Sequence, residues 1–77
     1  MTASEAIRMA LTRSKMKQVE LAKVLGIRPQ PLNLKLKEGR WKWAELARVA
    51  EYTGGKLVIL YPDGTQFPID APEEEQE

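Results

Sequence analysis

A chain of 77 residues and 8.7 kDa has room for one compact domain and no cleft between two cores. It contains no cysteine and no histidine, and its only serines are Ser4 and Ser14, so it has no disulfide framework, thiolate nucleophile, zinc ribbon or catalytic triad. This composition points away from an enzyme and from any metal or other cofactor. The formal net charge of +1 argues at first against a nucleic-acid partner, but it is the sum of two opposed parts. Residues 1–61 hold all twelve bases against five acids, a net +7, whereas residues 62–77 hold six acids and no base, a net −6. The longest uninterrupted apolar run, Leu57 to Tyr61, is five residues, against the roughly 20 needed to span a bilayer. Met1 to Leu11 also lacks the basic start and apolar block of a secretory leader. The expectation is a soluble, cytoplasmic protein with no membrane partner.

In chain order, Thr2-Ala-Ser-Glu5 has the form of a capping box, with Ser4 as a competing cap, and Ala6, Ile7, Ala10 and Leu11 then form an apolar helical stripe that fades near Ser14. A second short helix is expected over Gln18 to Leu25, with Val19, Leu21, Ala22 and Leu25 as its apolar positions and Gly26 as its left-handed stop. A third helix spans about Gln30 to Lys37, with Leu32 and Leu36 four apart; Pro29 and Pro31 fit only in its first turn, where a missing N–H has no partner to lose. Lys42 to Thr53 reads as a fourth helix, with Leu46, Ala47, Val49 and Ala50 inward, Glu45, Arg48 and Glu51 outward, and Gly54-Gly55 ending it. Trp41 and Trp43 are expected to be packing anchors. The period then changes from 3.6 to 2. Lys56 to Tyr61, the turn Pro62-Asp-Gly-Thr65, and Gln66 to Ile69 with Phe67 and Ile69 inward read as a β-hairpin, and residues 71–77 as a disordered acidic tail.

The informative stretch is Gln18 to Arg40. A small residue at Ala22 lets two helices cross closely, Gly26 makes the bend, and Ile27 with Leu32 pins the third helix on the second. On the residues Gln18-Val-Glu-Leu-Ala22, Leu25-Gly-Ile27, Gln30, Leu32-Asn33, Leu36 and Gly39, the chain resembles the helix-turn-helix of phage Cro and repressor proteins and their bacterial relatives. The resemblance covers roughly residues 4–54. It implies a mainly α fold, a four- to five-helix lambda-repressor-like domain over residues 1–55 with the C-terminal β-hairpin at 56–70. It further implies that the third helix enters the major groove of double-stranded DNA, with Arg28, Gln30, Asn33 and Lys37 toward the bases and Gln18 on a phosphate; by their own chemistry Leu34 is expected against a base and Lys17, Lys35, Arg40 and Lys42 against phosphates.

The chemistry suits those roles independently. Gln and Asn pair bidentately with adenine, Arg with guanine, and a leucine meets a thymine methyl. Between Arg28 and Lys42 there are five bases and a single acid, Glu38. Three residues depart from the family pattern: Lys17 replaces the usual hydroxyl cap, Pro29 and Pro31 replace hydroxyl or basic residues, and Leu34 faces outward.

The hairpin is apolar on both faces. Leu57, Ile59 and Tyr61 point one way, Val58 and Leu60 the other, and together with Phe67 they are the expected interface of a homodimer. The function expected is that of a phage-type or bacterial transcriptional repressor. The competing expectation is an antitoxin or phage inhibitor on the same scaffold that uses its hairpin, Leu34 or the acidic tail to bind a protein partner.

Overall fold

The computed structural model describes residues 1–72; of the acidic tail, residues 73–77 lie outside the described part. Four helices, α1 (Ala3–Arg13), α2 (Gln18–Leu25), α3 (Pro29–Glu38) and α4 (Trp43–Tyr52), are followed by an antiparallel hairpin of β1 (Leu57–Leu60) and β2 (Gln66–Ile69). The chain is mainly helical, and α3 begins one residue earlier than its hydrophobic spacing suggests.

The helix ends follow from local chemistry. Thr2 and Glu5 close a full capping box: Thr2 Oγ1 accepts from Glu5 N–H at 3.1 Å, and Glu5 Oε1 accepts from Thr2 N–H at 2.7 Å. Lys17 and Lys42 stand at the N-caps of α2 and α4, where an ammonium has no lone pair to offer. Only the reciprocal half of each box exists there, with Glu20 accepting from Lys17 N–H at 2.8 Å and Glu45 from Lys42 N–H at 2.9 Å. At its C-terminus α2 closes in a Schellman turn. Gly26 N–H reaches Lys23 O, Ile27 N–H reaches Ala22 O, and Gly26 takes a φ of 71°. The end of α1 uses the same pair of bonds, Lys15 N–H to Thr12 O and Met16 N–H to Leu11 O, but places Lys15, a residue with a Cβ, at φ 57°.

The core is one cluster built from Ile7, Leu11, Leu21, Ala22, Leu32, Leu36 and Val49, with Met16, Leu25, Ile27, Trp41 and Leu46 packed around it. Leu21 and Leu32 are fully buried, so α2 and α3 meet through them. Two long-range hydrogen bonds tie the layers. Trp41 Nε1 donates to Ser4 Oγ at 3.0 Å, and Ser14 Oγ donates to Thr53 O at 3.2 Å. Ser4 is therefore a buried acceptor for an indole and not a helix cap. Trp41 anchors the core as expected, whereas Trp43 is exposed.

Four inward or outward assignments change, among them Arg48, expected outward and found half-buried. Val19 is turned to solvent because α2 buries the Leu21–Ala22 side against Leu32. Phe67 is exposed, since the helices cover only the end of the hairpin that carries Leu57 and Ile69. Glu45 is half-buried because its carboxylate serves both the α4 cap and Lys35.

The hairpin turns through Pro62, Asp63 and Gly64: Gly64 N–H bonds Tyr61 O, Tyr61 N–H bonds Thr65 O, and Asp63 Oδ1 accepts from Thr65 N–H at 2.9 Å. Its base is held by Lys56, whose ammonium lies 2.7 Å from Asp70 and 3.8 Å from Glu51. Glu51 also accepts from Ala71 N–H at 2.8 Å. The hydrogen bond and charge of Lys56 hold the Asp70 carboxyl below its ordinary value of 3.8, and Asp70 in turn raises Lys56.

Replacing Lys15 by glycine relieves the left-handed backbone and is expected to stabilise the fold by about 1 kcal/mol, read as a higher urea midpoint at unchanged slope. Because a depressed carboxylate contributes only while ionised, the Lys56–Asp70 tie persists above pH 3.8 and is lost as pH falls below it. NMR titration should place the Asp70 midpoint below that value, and Lys56→Met should move it upward.

Candidate functional site

The exposed face of α3 is the surface with the most chemistry. With Leu32 and Leu36 buried, the 3.6-residue repeat places Gln30, Asn33, Leu34 and Lys37, at i, i+3, i+4 and i+7, on one outward stripe. These four side chains and Pro31 line a shallow surface depression. Leu34, 56% exposed at its middle, is an apolar group surrounded by two carboxamides and an ammonium. No carboxylate lines the depression.

The entry to α3 is shaped by its two prolines. Arg28 caps the helix in extended backbone without a side-chain bond, Pro29 and Pro31 have no N–H, and Leu32 N–H already bonds Arg28 O. Of the N–H groups that an α-helix ordinarily leaves free at its start, only those of Arg28 and Gln30 remain. The prolines thus let α3 start without a capping side chain, and they leave the Arg28 guanidinium free to extend from the start of the helix.

Among the described residues, Arg28, Lys37, Lys17 and Lys42 make no ion pair, and all four are exposed. Gln18 is exposed at the start of α2. Arg40 approaches Glu38 at 3.9 Å with both side chains mostly in water, an arrangement of little energetic weight. Lys35 departs from this group. Its ammonium lies 3.0 Å from Glu45 Oε2 and 3.2 Å from Oε1, with both side chains largely covered, and sits 5.9 Å from the centre of the Trp41 ring. Lys35, expected toward a phosphate, therefore ties α3 to α4 rather than presenting a free charge. Only a partner ten residues away in sequence, Glu45, distinguishes Lys35 from Lys37, and no local pattern signals it.

Among the described residues no group of three or more His, Cys, Asp or Glu is positioned to hold a metal ion, and no helix is long and apolar enough to cross a membrane. The Asp63 carboxyl is lowered by its bond from Thr65 N–H, which marks a turn and not a reactive acid. A second concavity, lined almost wholly by apolar side chains of α1, α4 and Leu57, lies apart from the α3 face. In comparisons with known proteins, the chain matches no family model, and neither curated proteins nor solved structures match it significantly.

The two lysines on α3 should separate cleanly. Lys35→Ala is expected to cost about 1 kcal/mol through loss of the Glu45 and Trp41 contacts, whereas Lys37→Ala stays within about 0.5 kcal/mol of the parent, both read from urea denaturation.

Proposed function

We propose that this chain is a helix-turn-helix protein that binds double-stranded DNA sequence-specifically, with α2 and α3 as the motif and α3 as the recognition helix. The observation that carries the reading is the α3 stripe: two carboxamides, an exposed leucine and an ammonium on one outward face, without a carboxylate, inside a segment of net charge +7. A helix of this kind fits the major groove, where an amide side chain can both donate to adenine N6–H₂'s neighbour N7 and accept from N6. Leu34 supplies the apolar contact that a thymine methyl rewards.

In this reading Gln30, Asn33, Leu34 and Lys37 face base edges, with Arg28 reaching from the helix start. Lys17, Gln18, Arg40 and Lys42 neutralise or bond phosphates, which fixes register without conveying sequence. Transcriptional repression by a homodimer on a two-fold operator follows as the simplest use, with two α3 helices roughly 34 Å apart to reach successive major grooves. The exposed Leu34 also supports a second reading, a protein-binding scaffold such as an antitoxin, in which the same stripe meets a partner protein.

Selection from random duplexes is expected to enrich a defined sequence; enrichment of none would refute the DNA reading, and stoichiometric copurification with a protein partner in that case would favour the second. On the selected site, Asn33→Ala and Gln30→Ala should each lose about 1–3 kcal/mol of discrimination at one base position. Lys42→Ala should instead weaken all duplexes alike and flatten the salt dependence. A reversal of those two patterns would reverse the roles.

A further inference from the structure

Five bases lie between Arg28 and Lys42, and four of them, Arg28, Lys37, Arg40 and Lys42, are exposed. Among the described residues, only Lys35 of the five is held by a covered partner. Its ammonium meets both oxygens of Glu45, at 3.0 and 3.2 Å, with the two side chains 24% and 13% exposed, and the centre of the Trp41 ring lies 5.9 Å away. Salt screens a covered pair far less than an exposed one, so the charge of Lys35 stays cancelled under conditions in which Lys37 and Lys42 attract any polyanion.

Capping alone does not explain the charge on Glu45. Its Oε1 accepts from Lys42 N–H at 2.9 Å, a bond that a glutamine at the same third helical position also makes. Beyond the favourable field at a helix start, what a carboxylate adds over a carboxamide is a negative charge, and that charge faces Lys35. The Lys35 ammonium and the Lys42 N–H share one carboxylate oxygen. Lys35 therefore ends beside the base of a side chain that the DNA reading sets against a phosphate. Released from Glu45, its flexible four-carbon stem has the reach to join Lys42 there.

We infer that Glu45 is a specificity-determining residue that acts through Lys35: it withholds one cation from the phosphate-facing surface and uses that cation to fix α3 against α4. This role rests on the DNA reading. Nonspecific affinity grows with every cation that meets a phosphate, whichever bases lie between. Discrimination depends instead on how firmly Gln30, Asn33 and Lys37 are held at base edges. Glu45 acts on both with one carboxylate. It lowers the first by cancelling Lys35, and it supports the second by tying Lys35, two residues from Asn33 and two from Lys37, to a separate helix. Loss of the charge therefore moves the two quantities in opposite directions, tighter on random DNA and less selective for the preferred site, whereas loss of folding weakens both.

The decisive variant is Glu45→Gln, which keeps an acceptor for Lys42 N–H and removes the charge. On random duplex DNA its log affinity should fall with log salt more steeply than the parent's, by about 0.9, the increment of one added phosphate contact, with tighter binding at low salt. Lys35→Met should leave the parental slope unchanged, and Lys35→Met combined with Glu45→Gln should return the slope to the parental value. The ratio of affinities for a selected site and for random duplex should drop about fivefold or more in Glu45→Gln, the lower end of one lost base contact. Amine acylation of the protein without DNA, read by mass spectrometry, measures the withholding directly. Lys35 should react more slowly than Lys37 in the parent and approach it in Glu45→Gln. An unchanged slope in Glu45→Gln, a slope flattened by Lys35→Met alone, or a parental Lys35 that acylates as fast as Lys37 would overturn the withholding, and an unchanged ratio would overturn the positioning. A parent that binds no duplex at low salt refutes the DNA reading and this role together; a parent that binds, with a Glu45→Gln variant of the same slope, refutes this role alone.

Discussion

The packing of α2 on α3 through Leu21, Ala22, Leu32 and Leu36 is the constraint on which the rest of the structure depends. Leu21 and Leu32 are fully buried, and replacing either by alanine would remove roughly 2–5 kcal/mol in a domain whose total stability is of that order. The same contact fixes the rotation of α3 about its axis. Once Leu32 and Leu36 point into the core, the helical repeat leaves Gln30, Asn33, Leu34 and Lys37 no direction but outward. The identity of the outward face is thus decided by two leucines that never reach it.

Holding α3 at that rotation requires its ends to be secured as well. The Schellman turn at Gly26 brings Ile27 back onto the core, and the Lys35–Glu45 pair clamps the far half of α3 to the start of α4. Glu45 serves two donors, the Lys42 N–H of its own helix and the Lys35 ammonium, so one carboxylate sets the α3–α4 junction. Trp41 lies in that junction with its indole N–H on Ser4, which joins α1 to the same region. Four exposed site residues are therefore supported by a buried leucine pair, one bifunctional carboxylate and one indole.

Much of this was legible in the sequence because the relevant forces are local. Helical spacing marks α2 to the residue and the end of α1 to within about one, Gly26 marks the bend, and Pro29 and Pro31 confine the start of α3 to within one residue. What was not legible depends on partners distant along the chain. Nothing near Val19 tells it that α2 will turn its Leu21 side to Leu32, and nothing near Lys35 or Ser4 names Glu45 or Trp41. Phe67 and Ile69 alternate identically in sequence; only the position of α4 over one end of the hairpin leaves the first exposed and covers the second. The α3 stripe was legible as a pattern, but its separation from Lys35 was not.

Charge distribution links the two ends of the molecule. The basic excess belongs to the helices, and the acidic excess begins at the hairpin, yet the two are not independent: Lys56 bridges Glu51 at the end of α4 to Asp70 at the end of β2, and Glu51 also holds Ala71 N–H. This small network anchors the start of the acidic end beside α4 and the base of the hairpin. β1 itself carries no charge between Lys56 and Tyr61, and so lacks the gatekeeping charge that isolated edge strands commonly use against unwanted pairing. On β2, Pro68 limits such pairing because it has no N–H to offer.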